Sequence, residues 1–149
     1  MKVSSLEKAN FCKELGADFV INYIEQDFVE QCLGFTQGQG VDVVIETTAA
    51  DNFVKDCMAL RKSGRLVLIG AGTRKSSEGV INFHHVYANN IEIQGMSLFN
   101  VGDRFSQLVN HVQRLLQRKK IRPFVFKSFP LTHASQSHEV LLSEEVPAR

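Results

Sequence analysis

The stretch GVDVVIETTAADNFVKDCMALRKSGRLVLIGAG, from Gly40 to Gly72, decides the fold. Val41 to Ile45 and Leu66 to Ile69 are continuous apolar runs. Such runs, unlike strict alternation, predict strands covered on both faces. Between them Phe53, Val54, Cys57, Met58 and Leu60 recur at a spacing that gives a helix one apolar stripe. Asp51, or Asn52 beside it, is placed to cap the start of that helix, and Ser63-Gly64 to stop it. Strand, helix and strand make a βαβ unit, the building block of open parallel sheets. Each strand ends in small residues, Thr47-Thr48-Ala49-Ala50 and Gly70-Ala71-Gly72. In such sheets ligands lie beyond the carboxyl ends of the strands.

Upstream, Met1-Lys2-Val3 is too short for a full strand, and Ser4 with Glu7 has the spacing of a capping box opening a helix. Leu6, Ala9, Cys12 and Leu15 give that helix an inner face, and Gly16 ends it. Asp18 to Tyr23 is predicted as a strand and Asp27 to Leu33 as a brief helix closed by the glycine-punctuated loop Gly34 to Gly40. Downstream, Thr73 to Gly79 is expected to be a surface loop, Asn82 to Asn89 a short helix, and Ile91 to Leu98 a sixth strand. Gly95 within that strand suggests a bulge or a close backbone approach. Phe105, Leu108, Val109, Val112, Leu115 and Leu116 mark the clearest helix, with Asp103 as its cap and Pro123 beyond its end. Pro123 to Pro130 reads as extended, and Thr132 to Leu142 as a last amphipathic helix. No repeat, low-complexity tract or linker divides residues 1–149, so one domain is expected.

Composition narrows the function classes. An apolar share of 44% and a charged share of 22% are those of a soluble globular domain. Net charge is +1, which argues against electrostatic recruitment to nucleic acid or membrane. The basic cluster Arg118-Lys119-Lys120 with Arg122 falls at a helix end, where cations favour the dipole. No apolar run approaches the roughly 20 residues that span a bilayer. Cys12, Cys32 and Cys57 are odd in number, widely spaced and set among apolar neighbours. They suit reduced, buried thiols of a cytoplasmic protein, and without CxxC or HExxH spacing no metal site is expected.

Several residues carry candidate chemistry, each beside a plainer reading. Ser4 and Ser5 offer hydroxyl and backbone donors at a helix start and Lys8 a charge, a set suited to the ribose phosphate of NADP; plain capping with a solvated lysine is the alternative. Gly70 and Gly72 let backbone approach a flat ring, or simply make a turn. Gly70-Ala71-Gly72 starts like the fingerprint G-x-G-x-x-G, but Lys75 stands where the third glycine belongs. Tyr23, at a strand end, is either a platform for an adenine ring or a rim aromatic. His84, His85, His111, His133 and His138 read as surface histidines, and no carboxylate pair or nucleophile with an adjacent base stands out. No catalytic residue is assigned.

Taken together, SSLEKANFCKELGADFVINY, GQGVDVVIETTA, SGRLVLIGAG, IEIQGMSLF and IRPFVFKSFPLTHASQSHEVL resemble the C-terminal half of medium-chain dehydrogenases/reductases. The resemblance is nearest to the zinc-free NADPH:quinone oxidoreductases, which include zeta-crystallin, and it covers nearly the whole chain. It implies a Rossmann-like α/β domain, a mostly parallel sheet in the order 3-2-1-4-5-6 with helices on both faces. It further implies a phosphate site at Ser4, Ser5 and Lys8, adenosine contacts at Tyr23 and Asn52, and a nicotinamide lining from Ile69, Gly70, Ala71, Gly72, Met96, Ser97 and Leu98.

The cofactor so implied is NADPH, and the family reaction is hydride transfer to a quinone or an activated alkene. Dimerisation through Ile91 to Leu98 is also implied, with no nucleic acid or membrane partner. The resemblance has departures. The family's substrate domain, first strand, glycine-rich turn and any zinc ligands precede the match, and Val146-Pro147-Ala148-Arg149 replaces its final strand. The chain is therefore read as a truncated domain not expected to be competent by itself. The alternative is a non-catalytic form acting by dimerisation with a full-length relative.

Overall fold

A computed structural model describes residues 1–72 and 77–143. The expected central unit is present. β3 (Val41–Glu46), α3 (Ala49–Ala59) and β4 (Leu60–Leu68) run strand, helix, strand, and β5 (Glu92–Gly95) adds a third parallel strand in the order β3-β4-β5. Val44, Leu66 and Ile93 stand side by side in this sheet, as do Glu46, Leu68 and Gly95. Upstream, β1 (Lys2–Val3) pairs in parallel with β2 (Ile21–Asn22), so even a two-residue segment qualifies as a strand when a neighbour supplies its ladder. Among the described residues β1 and β3 are not hydrogen-bonded to each other, leaving two sheets.

Four helices account for most of the covering. α1 (Leu6–Glu14) lies on the Val3 side of β1, with Val3, Ala9 and Cys12 as a small core. Phe124, in the extended segment after the long helix, meets Phe11 edge-on at 4.6 Å. Lys2 points to the opposite side, its ammonium 4.4 Å from the ring of Phe28 in α2 (Phe28–Phe35). On that side α3 and α4 (Phe83–Ala88) cover the main sheet, where Cys57, Leu60, Leu66 and Ile91 form the larger core. Helices thus lie on both sides of the β1-β2 pair, and α3 and α4 on one side of the main sheet. Val43 and Ile45, however, remain 51% and 68% exposed. The prediction that β3 is covered on both faces is corrected: only the Val44–Glu46 side is.

Other boundaries shift for local reasons. Ser5, not Ser4, is the N-cap of α1, and its hydroxyl accepts the Lys8 N–H at 3.3 Å; Leu6 and Leu15 leave the inner face exposed. The predicted strand Asp18 to Tyr23 shrinks to Ile21–Asn22. Thr48 replaces Asp51 or Asn52 as the residue before α3, and the helix ends at Ala59, ahead of Ser63-Gly64. β4 absorbs those two residues, with Ser63 at φ 56. β5 stops at Gly95 and a 3-10 turn, Leu98–Asn100, follows; Gly95 pairs regularly with Leu68 and a Cβ there would meet nothing within 4 Å, so neither bulge nor close approach exists. α5 (Phe105–Gln117) starts after a 3-10 turn with Arg104 at its cap position, so Asp103 does not cap it. Its apolar stripe is real but open, with Phe105 51% exposed. α6 (Ala134–Leu142) ends the described chain. Lys75, most of the expected loop Thr73 to Gly79, and the tail Val146 to Arg149 lie outside the described residues.

Candidate functional site

Parallel strands bring their carboxyl ends to one rim, and backbone hydrogen bonds hold that rim together. Ile69 donates to the Glu46 carbonyl and Met96 to the Leu68 carbonyl, both at 2.9 Å. Thr48 bridges to Ala71, and Ala50 donates to the Ala71 carbonyl at 2.9 Å. Gly70 is required here. A Cβ on it would lie 2.9 Å from the carbonyl carbon of Thr47 and closer still to the oxygen, so only glycine lets the two strand ends cross. Of the predicted nicotinamide lining, Ile69, Gly70, Ala71 and Met96 are therefore brought together, with Gly72 following. Ile69, Met96 and Leu98 are 42%, 57% and 66% exposed, and Ser97 is exposed too.

The second predicted group lies at the end of β1 and β2. Ser4 and Ser5 are half-buried before α1, and Lys8 is half-buried within its first turn. Tyr23, half-exposed, donates its backbone N–H to the Val3 carbonyl at 3.0 Å, just past the end of β2. The helix start leaves first-turn N–H groups without intrahelical acceptors, and with Lys8 nearby it is suited to an anion. Asn52 belongs to neither group directly. Its amide donates to Thr48 Oγ1 at 2.9 Å and to Glu46 Oε2 at 3.2 Å.

Between the two groups lies an arrangement that sequence reasoning missed. Glu46 and Asp56 are only 2% and 1% exposed, and Lys2 reaches both, Nζ lying 3.2 Å from Glu46 Oε2 and 3.8 Å from Asp56 Oδ1. Glu46 Oε1 accepts the Thr48 N–H at 2.6 Å and the Thr48 hydroxyl at 3.0 Å. Burial pushes the Glu46 carboxyl up, but the Thr48 N–H, a hydrogen bond from Asp56 and the Lys2 charge outweigh it and hold it at about 2. Burial, then the hydrogen bond to Glu46 and its charge, push Asp56 the other way, to about 7, with Lys2 opposing. A carboxylate pair is thus present, contrary to the sequence reading. The readable signal was Asp56 itself, a charge three residues after Phe53 and four before Leu60, on the apolar stripe of α3.

The remaining titratable groups are structural. His85, in α4, is not merely on the surface, since its Nε2 lies 3.1 Å from the Cys57 carbonyl. Cys12 and Cys57 are buried free thiols and Cys32 is half-buried; burial raises the Cys57 thiol to about 11, which makes it inert. No helix among the described residues is long and apolar enough to cross a membrane.

Comparison with known proteins follows the same lines. Residues 2–114 match the family described as zinc-binding dehydrogenase. Quinone oxidoreductase of Rattus norvegicus is 30% identical over 128 residues, covering 85% of this chain and 38% of the rat protein. The crystal structure of AibC superposes with a TM-score of 0.80 at 30% identity, over 99% of this chain and 42% of that one. Mycobacterial Rv1454c, solved in complex with NADPH, gives a TM-score of 0.77 at 27% identity, over 94% of this chain and 45% of that one. The chain therefore spans about two fifths of the length of the relatives it matches. Although the family description mentions zinc, among the described residues no three His, Cys, Asp or Glu side chains gather where they could hold an ion. The described residues do not fit a zinc site.

Proposed function

The chain belongs to the zinc-binding dehydrogenase family, and from that membership we propose that it is an NADPH-binding domain of a quinone reductase-type oxidoreductase. When bound, NADPH supplies the hydride that reduces a quinone or an activated alkene. Ser4 and Ser5 offer hydroxyls, and Lys8 a charge, to the ribose phosphate at the start of α1. Tyr23 would pack against the adenine. Ile69 to Gly72 and Met96 to Leu98 would line the nicotinamide, and Asn52 would contribute through the Thr48 turn that it holds. The supporting observation is the first turn of α1, where Ser5 caps the helix and a half-buried Lys8 stands three residues on. The NADPH complex of Rv1454c, a protein of the same fold, agrees with the choice of cofactor.

The test is calorimetric titration of the chain with NADPH and with NADH. Tighter binding of NADPH, lost in Lys8→Ala, supports the assignment; equal or tighter binding of NADH refutes it. Edge strand β5 carries exposed side chains along its length, which supports pairing of two copies through Ile91 to Leu98. In that arrangement the chain also serves the second reading, a binding partner of a full-length relative. Free cysteines agree with a cytoplasmic location.

A further inference from the structure

We propose that Glu46 is the positioning residue for the strand-end rim, and that a proton held on Asp56 keeps its carboxylate in place, so that deprotonation of Asp56 loosens the rim. The inference rests on the reading of that rim as the nicotinamide side of a dinucleotide site. Glu46 is the last residue of β3, and Oε1 fixes the Thr48 turn through both the backbone N–H and the hydroxyl. Thr48 in turn bridges to Ala71, beside the Gly70 crossing. One carboxylate oxygen therefore determines where the Ala71 backbone lies. Oε2 is held by Asn52 from α3 and by Lys2 from β1. The same group thus ties together the two sheets, which share no backbone hydrogen bond.

Asp56 is the other half of the device. Two buried carboxyls can hydrogen-bond to each other only when one of them carries a proton. Here the two buried carboxyls meet around one ammonium, Lys2 Nζ lying 3.2 Å from Glu46 Oε2 and 3.8 Å from Asp56 Oδ1, while Asp56 Oδ2 is buried and has no partner among the described residues. The donors around Glu46 stabilise its charge, so the proton belongs to Asp56, whose titration is raised to about 7. Lys2 of β1 is the nearby cation, the Cys32 thiol of α2 and the Cys57 thiol of α3 are both raised by burial and stay neutral, and His85 of α4 faces the Cys57 carbonyl instead. Lys55 is engaged by Asp27 at 2.7 Å. When Asp56 loses its proton, two carboxylates face one Lys2 in a buried seam, and the contact with Glu46 turns repulsive.

The experiment follows the Thr48 amide by NMR while the intact chain is titrated from acid through neutral pH. Its short hydrogen bond to Glu46 makes it a direct reporter. The resonance is expected to move with a midpoint near 7, and the step to vanish in Asp56→Asn, which keeps a donor towards Glu46 and has no proton to lose. In parallel, NADPH affinity should weaken above the midpoint by at most about tenfold per pH unit, the limit for one linked proton. A flat Thr48 titration in the wild-type chain, or an unchanged step in Asp56→Asn, overturns the inference even if NADPH binds. A Thr48 step that follows Asp56 in a chain that binds no NADPH upholds the device and sinks the proposed function instead.

Discussion

Gly70→Ala isolates the crossing on which the rim depends. The added methyl would lie 2.9 Å from the Thr47 carbonyl carbon and 3.1 Å from its Cα, with the oxygen closer still. These are backbone atoms that no rotamer change can move aside, so the ends of β3 and β4 must part. Overpacking of this kind costs about 1–3 kcal/mol, occasionally more. Parting the strand ends also strains the bonds from Ile69 to Glu46 and from Ala50 to Ala71, each 2.9 Å long and worth about 1 kcal/mol. The sum, roughly 3–5 kcal/mol, is a large share of the roughly 5–15 kcal/mol that holds a typical domain. Urea unfolding followed by circular dichroism should show the midpoint falling by about 1.5–2.5 M at an unchanged slope of about 2 kcal/mol per M. Gly95→Ala is the control, because its Cβ would meet nothing within 4 Å, and it should unfold near the wild-type midpoint. A Gly70→Ala midpoint equal to that of Gly95→Ala would refute the close crossing.

Three further outcomes are expected. Leu66, fully buried in the larger core, should cost about 2–5 kcal/mol when changed to Ala, measured by the same unfolding curves. Stability should depend on pH through the buried pair. Between about 4.5 and 7 the folded pair holds one proton that the unfolded chain has lost, so stability falls as pH rises, by at most about 1.4 kcal/mol per unit, and levels off above 7. Towards pH 2 the depressed Glu46 reverses the sign and stability falls with acidification; thermal melts across this range check both arms, and in Asp56→Asn the fall between about 4.5 and 7 should vanish. Finally, Val43→Lys with Ile45→Lys should reduce self-association in sedimentation experiments, because these exposed side chains border the edge of β3 that has no partner strand among the described residues. Unchanged association would show that this edge does not recruit other chains.

How far the fold was legible depends on what periodicity encodes. The βαβ unit was readable because apolar runs and a helical stripe name the residues that share a face. They do not name what lies over that face. Val43 and Ile45 belong to a run that reads as buried, and the stripe of α5 is the clearest in the chain, yet both are open. Capping was misplaced by one residue where two serines adjoin, because Ser5 rather than Ser4 has its hydroxyl in reach of the Lys8 N–H. Gly70 to Gly72 could be placed at the rim from the strand end alone, since parallel strands deliver their ends to one side, whereas Ile69 and Met96 followed only from the family resemblance. The Glu46–Asp56–Lys2 cluster could not, because it joins β1, β3 and α3 across sequence separations that no local pattern spans. Only the misfit of a charge on the apolar stripe of α3 pointed to it.

The central claim is that the start of α1 and the rim at Ile69 to Gly72 are two ends of one dinucleotide site. Chemical-shift mapping of the isotope-labelled chain during addition of NADPH tests it most directly. Concerted, saturable shifts are expected at Ser5, Lys8 and Tyr23 together with Gly70, Ala71 and Met96, with loss of the Ser5 and Lys8 shifts when the 2′-phosphate is absent. Shifts confined to one group, or saturable shifts elsewhere on the chain with neither group moving, would contradict it.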